Sequence, residues 1–208
     1  MNDPERRSAV HTIAERARSL GELMDHLLLG ARAGADELKV RIEEFDLAER
    51  IDGATLGLPS LSDKHRVEVD LSEGLPYVLG DALATDIILG QLLENAFKYS
   101  PRGGLISVGA WPEDDNVVVV VDDEGVGIAP PDRERIFERF VQVDSGDRRR
   151  FGGVGLGLYI VRSLARAQGR CERASKAGRG HQNATRTQVC CPYPIRHTDA
   201  VTRWSRLS

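Results

Sequence analysis

Cysteine is scarce in this chain: three in 208 residues, two of them adjacent as Cys190 and Cys191. That number and placement make no disulfide framework. Long apolar runs are missing too. The longest is Val117 to Val121, far short of the ~20 residues a membrane-crossing helix needs. The opening Met1-Asn2-Asp3-Pro4-Glu5-Arg6-Arg7 lacks the basic-then-apolar layout of a secretory leader. There is no Gly-x-x-x-x-Gly-Lys-Ser/Thr phosphate loop and no dinucleotide-binding glycine fingerprint. These absences lead us to expect a reduced, cytoplasmic protein with no membrane contact by this chain. No nucleic-acid partner is expected either.

What is present describes a globular protein, with 41% apolar and 29% charged residues. The net charge of −4 is unevenly spread. From Arg170 onward eight basic residues face two acidic ones, a net of +6, which leaves −10 for the rest. All three cysteines fall in that basic stretch. We therefore divide the chain into residues 8–45, a body at 46–169, and an irregular basic tail at 170–208, aberrant or disordered.

In residues 8–34, Ile13, Ala17, Leu20, Met24, Leu27 and Leu28 recur at helical spacing with charged residues between them. Such a helix has to pack on another helix, in this chain or in another. Residues 38–46 alternate like a strand, and Asp46 is placed to cap a helix from Leu47. Residues 65–71 alternate again, and a long helix is expected from Gly80-Asp81 to about Lys98. The Ser100-Pro101-Arg102-Gly103-Gly104 turn leads into strands at 105–111 and 116–122, joined as a hairpin. A short helix at 132–137, a polar loop at 143–153 and a helix at 156–168 follow. This order predicts an α+β fold in two layers, helices on a largely antiparallel sheet.

Chemistry concentrates in three stretches. Asp122-Asp123-Glu124-Gly125-Val126-Gly127-Ile128 follows the valine strand directly. Its glycines let the backbone turn and approach a planar ligand, and its carboxylate can accept from an amino group; an ordinary turn reads the same way in isolation. Gly152-Gly153-Val154-Gly155-Leu156-Gly157-Leu158 opens a helix and offers backbone N–H groups to an anion. On the long helix, Gln91, Asn95, Lys98 and Tyr99 share one face. An amide oxygen there suits magnesium, a lysine suits phosphate and a tyrosine suits a base. A merely solvated face is the alternative.

In this order and spacing the three stretches resemble the N, G1 and G2 boxes of the histidine-kinase ATP-binding domain, within the GHKL ATPase superfamily. Arg135-Ile136-Phe137-Glu138-Arg139-Phe140 resembles the F box of the same family. The resemblance covers roughly residues 8–169, with 8–45 similar to the second helix of the dimerisation hairpin and its linker. It implies a GHKL (Bergerat) sandwich: a mixed sheet with helices on one face, preceded by a long helix.

The resemblance implies ATP and Mg2+ as cofactors. Asn95 would hold the metal, Lys98 the phosphates, and Tyr99 would line the nucleotide. Asp123 would bond the adenine amino group, in a pocket shaped by Gly125, Gly127 and Ile128. Phe137 and Phe140 would anchor a lid at about 141–152. Gly153, Gly155, Leu156 and Gly157 would meet the phosphates through their amides. Relatives often carry a lid arginine where this chain has Gln142, so Arg148, Arg149 or Arg150 would supply that charge, with Arg149 the candidate. The hydrolytic relatives place a glutamate four residues before the asparagine; this chain has Gln91, and an amide cannot act as a general base. Glu94 points about 100° away around the helix.

None of His11, His26, His65, His181 and His197 has the sequence context of a phosphoacceptor. The resemblance therefore implies transfer in trans, to a histidine on a separate chain carrying the acceptor helix, and indirectly to a response regulator. A homodimer is compatible with the apolar stripe. A nucleotide-binding regulator without phosphoryl transfer and an inactive remnant of a longer kinase stay open. A serine kinase of the anti-sigma-factor type is disfavoured by the hairpin-like helix and F box. A zinc site from Cys171, His181, Cys190, Cys191 and His197 lacks Cys-x-x-Cys spacing and is not expected.

Overall fold

The computed structural model describes residues 38–56, 58, 63–114, 116–142, 154–169, 172–176 and 185–192, with single positions at 10, 13, 21, 24 and 28. The Asp46 carboxylate accepts from Ala48 and Glu49 N–H groups and starts α1, Leu47–Thr55. Ahead of it, β1 (Glu43–Phe45) pairs antiparallel with β3 (Val78–Gly80). Between them in sequence runs β2, His65–Leu71. Asp81 then caps α2, Ala82–Tyr99, accepting from Ala84 N–H at 2.9 Å. The same residue accepts from Arg41 N–H and donates its own N–H to Gln168 Oε1, so one cap ties three segments together.

The main sheet holds β4 (Gly104–Glu113), β5 (Asn116–Asp123), β6 (Glu172–Lys176) and β7 (Thr185–Pro192) beside β2, in the order β2-β4-β5-β7-β6. Only the β2–β4 pair is parallel, and α2 lies within its crossover. The sheet is thus mixed, as the resemblance implied. Ile106, Val108 and Ala110 of β4 stand across from Asp123, Val121 and Val119 of β5, with Thr187 and Val189 of β7 beside them. Together with Leu89, Leu92, Leu93 and Ala96 of α2 and Ile160, Val161 and Leu164 of α3 (Gly157–Ala167), the apolar members of these rows form the core. Val118 and Val120 face the other way and are also buried, with Trp111 opposite Val118. That is why the run reads as unbroken valine rather than alternating.

Four features differ from what the sequence led us to expect. Strand 38–46 shortens to β1, and Gly80, read as the start of the long helix, ends β3 instead. The helix expected at 132–137 is two 3-10 turns, Pro130–Asp132 and Arg135–Phe137. Beyond residue 169, where the body was expected to end, the basic tail contributes β6 and β7. Thr187 and Val189 are buried at alternate positions, which suffices for a strand even with few aliphatics. Of the amphipathic stretch 8–34, Val10, Ile13, Gly21, Met24 and Leu28 are helical and exposed, while Ala17, Leu20 and Leu27 lie outside the described residues. Among the described residues no helix is long and apolar enough to cross a membrane.

Candidate functional site

Asp123 ends β5 on the helix side of the sheet, level with Ile106, so its carboxylate enters the cleft rather than solvent. It is 8% exposed. Its Oδ1 accepts from Gly125 N–H at 2.9 Å, bending the chain off the sheet. Burial pushes the carboxyl up to about 6, against the Gly125 hydrogen bond; the Asp122 charge adds to the rise and the nearby Ser100 hydroxyl opposes it. Ser100 Oγ is itself fully buried and, in this geometry, makes no well-formed hydrogen bond within the protein. Gly125 has to be glycine: a Cβ would run into Tyr99 O and stand 2.6 Å from Asp123 Oδ1. Gly127 adopts φ +72°, and half-buried Ile128 follows it.

Helix α2 brings its polar face to the same cleft. Leu92, Leu93 and Ala96 are buried, while Gln91, Asn95, Lys98 and Tyr99 are partly open. Burial lowers the Lys98 pKa, with the Glu94 charge working in the opposite direction. The Lys98 ammonium stands 5.3 Å from the centre of the Tyr99 ring. Glu94 is exposed and accepts from Gln91 Nε2 at 3.3 Å. Asn95 Nδ2 is buried without a hydrogen-bond partner among the described residues. The same side chain carries an amide oxygen, a hard ligand of the kind that suits magnesium, while the Nδ2 hydrogens suit an anionic phosphate arriving with the metal.

The structure brings the boxes together by direct contact. Tyr99 O accepts from Val126 N–H at 3.0 Å, joining the end of α2 to the Asp123 loop. A Cβ on Gly157 would meet Gln91 Oε1 and stand 3.7 Å from Asn95 Nδ2, so α2 and the start of α3 meet at a glycine. Phe140 N–H donates to Gly155 O at 3.0 Å, and both residues have positive φ. Phe140 is 64% exposed, whereas Phe137 is buried under the Arg162 guanidinium at 4.5 Å. Leu156 is buried in the core, leaving its backbone rather than its side chain for a ligand, and α3 has no side-chain cap. Arg149 and Gly153 lie outside the described residues. Among the described residues no cluster of His, Cys, Asp and Glu forms a metal site.

The sequence reading passed over several residues at this site. Ser100 appeared only as part of a turn, yet it lies beside the buried carboxylate. His65 reaches Ser100 O at 2.9 Å through Nε2 and packs on Phe97 at 4.8 Å. Arg139 bonds Tyr159 Oη at 2.6 Å, and Arg162 bonds Glu134 at 3.0 Å, holding the Phe137 turn on α3. Polar groups three apart on a helix, as those of Tyr159 and Arg162 stand, were the one available signal.

Comparison with known proteins places this geometry. The family model described as histidine kinase-, DNA gyrase B- and HSP90-like ATPase matches residues 80–193. The chain is 36% identical over 162 residues to the sensor-like histidine kinase SenX3 of Mycobacterium tuberculosis, covering 77% of this chain and 39% of that protein. It is 30% identical over 168 residues to the sensor histidine kinase RppB of Synechocystis, covering 78% of this chain and 36% of that one. Among solved structures, full-length ShkA in complex with AMPPNP superposes with a TM-score of 0.75 at 30% identity, over 91% of this chain and 39% of that chain. The mycobacterial sensor histidine kinase MprB gives a TM-score of 0.65 at 29% identity, over 74% of this chain and all of that chain. The chain spans about two fifths of the length of the curated relatives it matches.

Proposed function

The chain belongs to the histidine kinase-, DNA gyrase B- and HSP90-like ATPase family, and on that premise we propose that it binds ATP with Mg2+ and transfers the γ-phosphoryl group to a histidine on a partner chain. The observation that carries this reading is the meeting of the four boxes through Tyr99–Val126, Gln91–Gly157 and Phe140–Gly155.

In this reading Asp123 accepts from the adenine amino group, and Gly125, Gly127 and Ile128 leave room for the ring. Tyr99 lines the nucleotide, and Lys98 neutralises phosphate charge. Asn95 holds the magnesium, which when bound screens the phosphates and polarises the bond to be broken. Gly153, Gly155, Leu156 and Gly157 offer backbone amides, and Arg149 a charge at the γ-phosphate. Gln91 in place of a carboxylate leaves no base to activate water, so ATP should persist until an acceptor arrives. Residues 8–45 act as part of a dimerisation helix and its linker, in the cytoplasm. Exposed Val10, Ile13, Met24 and Leu28 then meet a partner helix, from an acceptor chain or a second copy.

Incubation with γ-labelled ATP tests this directly. We expect slow hydrolysis by the chain alone and an acid-labile, alkali-stable label on an added acceptor helix. Tight binding with no transfer to any acceptor would favour a nucleotide-binding regulator. Label on His11 or His26 of the purified chain would overturn the assignment in trans.

A further inference from the structure

Strand β5 has to end at Asp123 while the carboxylate stays level with the core. Its last paired residue is Asp123, opposite Ile106. One step further, Leu105 N–H donates not to backbone but to Glu124 Oε2, at 3.0 Å. The same oxygen lies 2.8 Å from where a Cβ on Gly104 would stand, and Gly104 has φ +125°. Gly104 N–H is held in turn by Lys64 O at 3.1 Å.

The Glu124 side chain thus occupies the place of the next ladder partner, and its own backbone is released to turn. The released segment is caught at once: Gly125 N–H by Asp123 Oδ1, and Val126 N–H by Tyr99 O. From this we infer that Glu124 is a positioning residue for Asp123, its carboxylate substituting for a strand so that the chain leaves the sheet at the depth adenine recognition requires. The inference rests on the proposed adenine role of Asp123. Its carboxylate is turned to the β4 backbone, so Glu124 acts through the β4–β5 edge.

Two chemical features make the substitution work. A carboxylate accepts an N–H bond more strongly than a neutral group does, which offsets the missing ladder pair. Glycine at 104 lets that carboxylate approach the backbone, where any larger residue would push it away.

The test uses the full chain and calorimetric titration with ATP and with GTP, at a pH well above the titration of Asp123, alongside thermal denaturation. We expect the wild type to prefer ATP and Asp123→Asn to erase the preference. Glu124→Ala should lower the ATP-to-GTP affinity ratio about fivefold, the effect of one hydrogen bond. Glu124→Gln, which keeps an acceptor oxygen, should restore most of that ratio. Should alanine prevent folding, Glu124→Asp withdraws the acceptor by one methylene, and the same loss of preference is expected. A lower melting temperature with the ratio unchanged, while Asp123→Asn still erases it, would overturn the positioning role alone. A wild type that binds both nucleotides equally would overturn the adenine reading and this inference with it.

Discussion

At the proposed adenine end of the cleft, Asp123 is buried and already engaged, holding Gly125 N–H at 2.9 Å on a loop pinned by Tyr99 O. At the proposed phosphate end, Asn95 Nδ2 has no hydrogen-bond partner among the described residues and the first turn of α3 has no side-chain cap. Apart from the Ser100 hydroxyl, one end is therefore set before a ligand arrives, and the other is an array of donors whose partners the ligand has to bring. The finished end should govern which nucleotide binds. The unfinished end should govern how binding depends on metal and charge.

Gly125→Ala is expected to have the largest effect, because its Cβ would overlap backbone on one side and the Asp123 carboxylate on the other. A loss of about 2–3 kcal/mol in affinity for every adenine nucleotide is expected by calorimetry, ADP included. A variant that kept its affinity would break the idea of a rigid base site. Asp123→Asn comes next, with ATP weakened by about 1–3 kcal/mol and GTP much less.

Acidity separates the ends as well. Asp123 titrates at about 6, above its usual value, so adenine affinity should fall as pH drops through about 6 and the acceptor takes a proton. For folding the sign is opposite. A raised carboxyl favours its protonated form in the native state, so this group's contribution is fully present below its unfolded pKa and is lost as pH rises to about 6. Melting curves of wild type against Asp123→Asn across that window should show the wild type losing ground as pH rises. A constant difference would contradict the burial of the carboxylate.

The phosphate end should respond more mildly, and at Asn95 through the metal. Asn95→Ala is expected to abolish the magnesium-dependent part of ATP affinity, leaving the affinity in chelator within about 0.5 kcal/mol of wild type. Equal wild-type affinity with chelator and with magnesium would remove the metal role of Asn95.

How much of this was legible in the sequence depends on how much a residue's chemistry constrains its neighbours. Asp123, Gly125, Asn95 and Gly157 could be singled out in the sequence because few residues suit the tasks proposed for them, and the structure brings their elements into contact. The helices α2 and α3 were legible from period and caps, Asp81 above all. Strand β1 was legible only as part of a longer alternating run, 38–46, and β3 was not, since three residues are too few for an alternating pattern. Strand β7, Thr-Arg-Thr-Gln-Val-Cys-Cys-Pro, was hidden because its inward positions include Thr187, buried among apolar neighbours yet polar in name. The placement of Ser100 and Glu124 depends on where a ladder stops, which no composition records.

The sheet order carries a consequence for how the molecule comes into being. Strand β7, the last among the described residues, lies inside the sheet between β5 and β6, against the strand that carries Asp123. During synthesis the outer flank of β5 stays open until residue 192 has left the ribosome, and pairing across that distance in sequence is intrinsically slow. Nascent chains halted near residue 169 would carry every recognisable box and still lack the strand that closes the wall behind Asp123. Nucleotide binding should accordingly appear late and abruptly along the growing chain, set by a segment that itself contributes no group to the ligand.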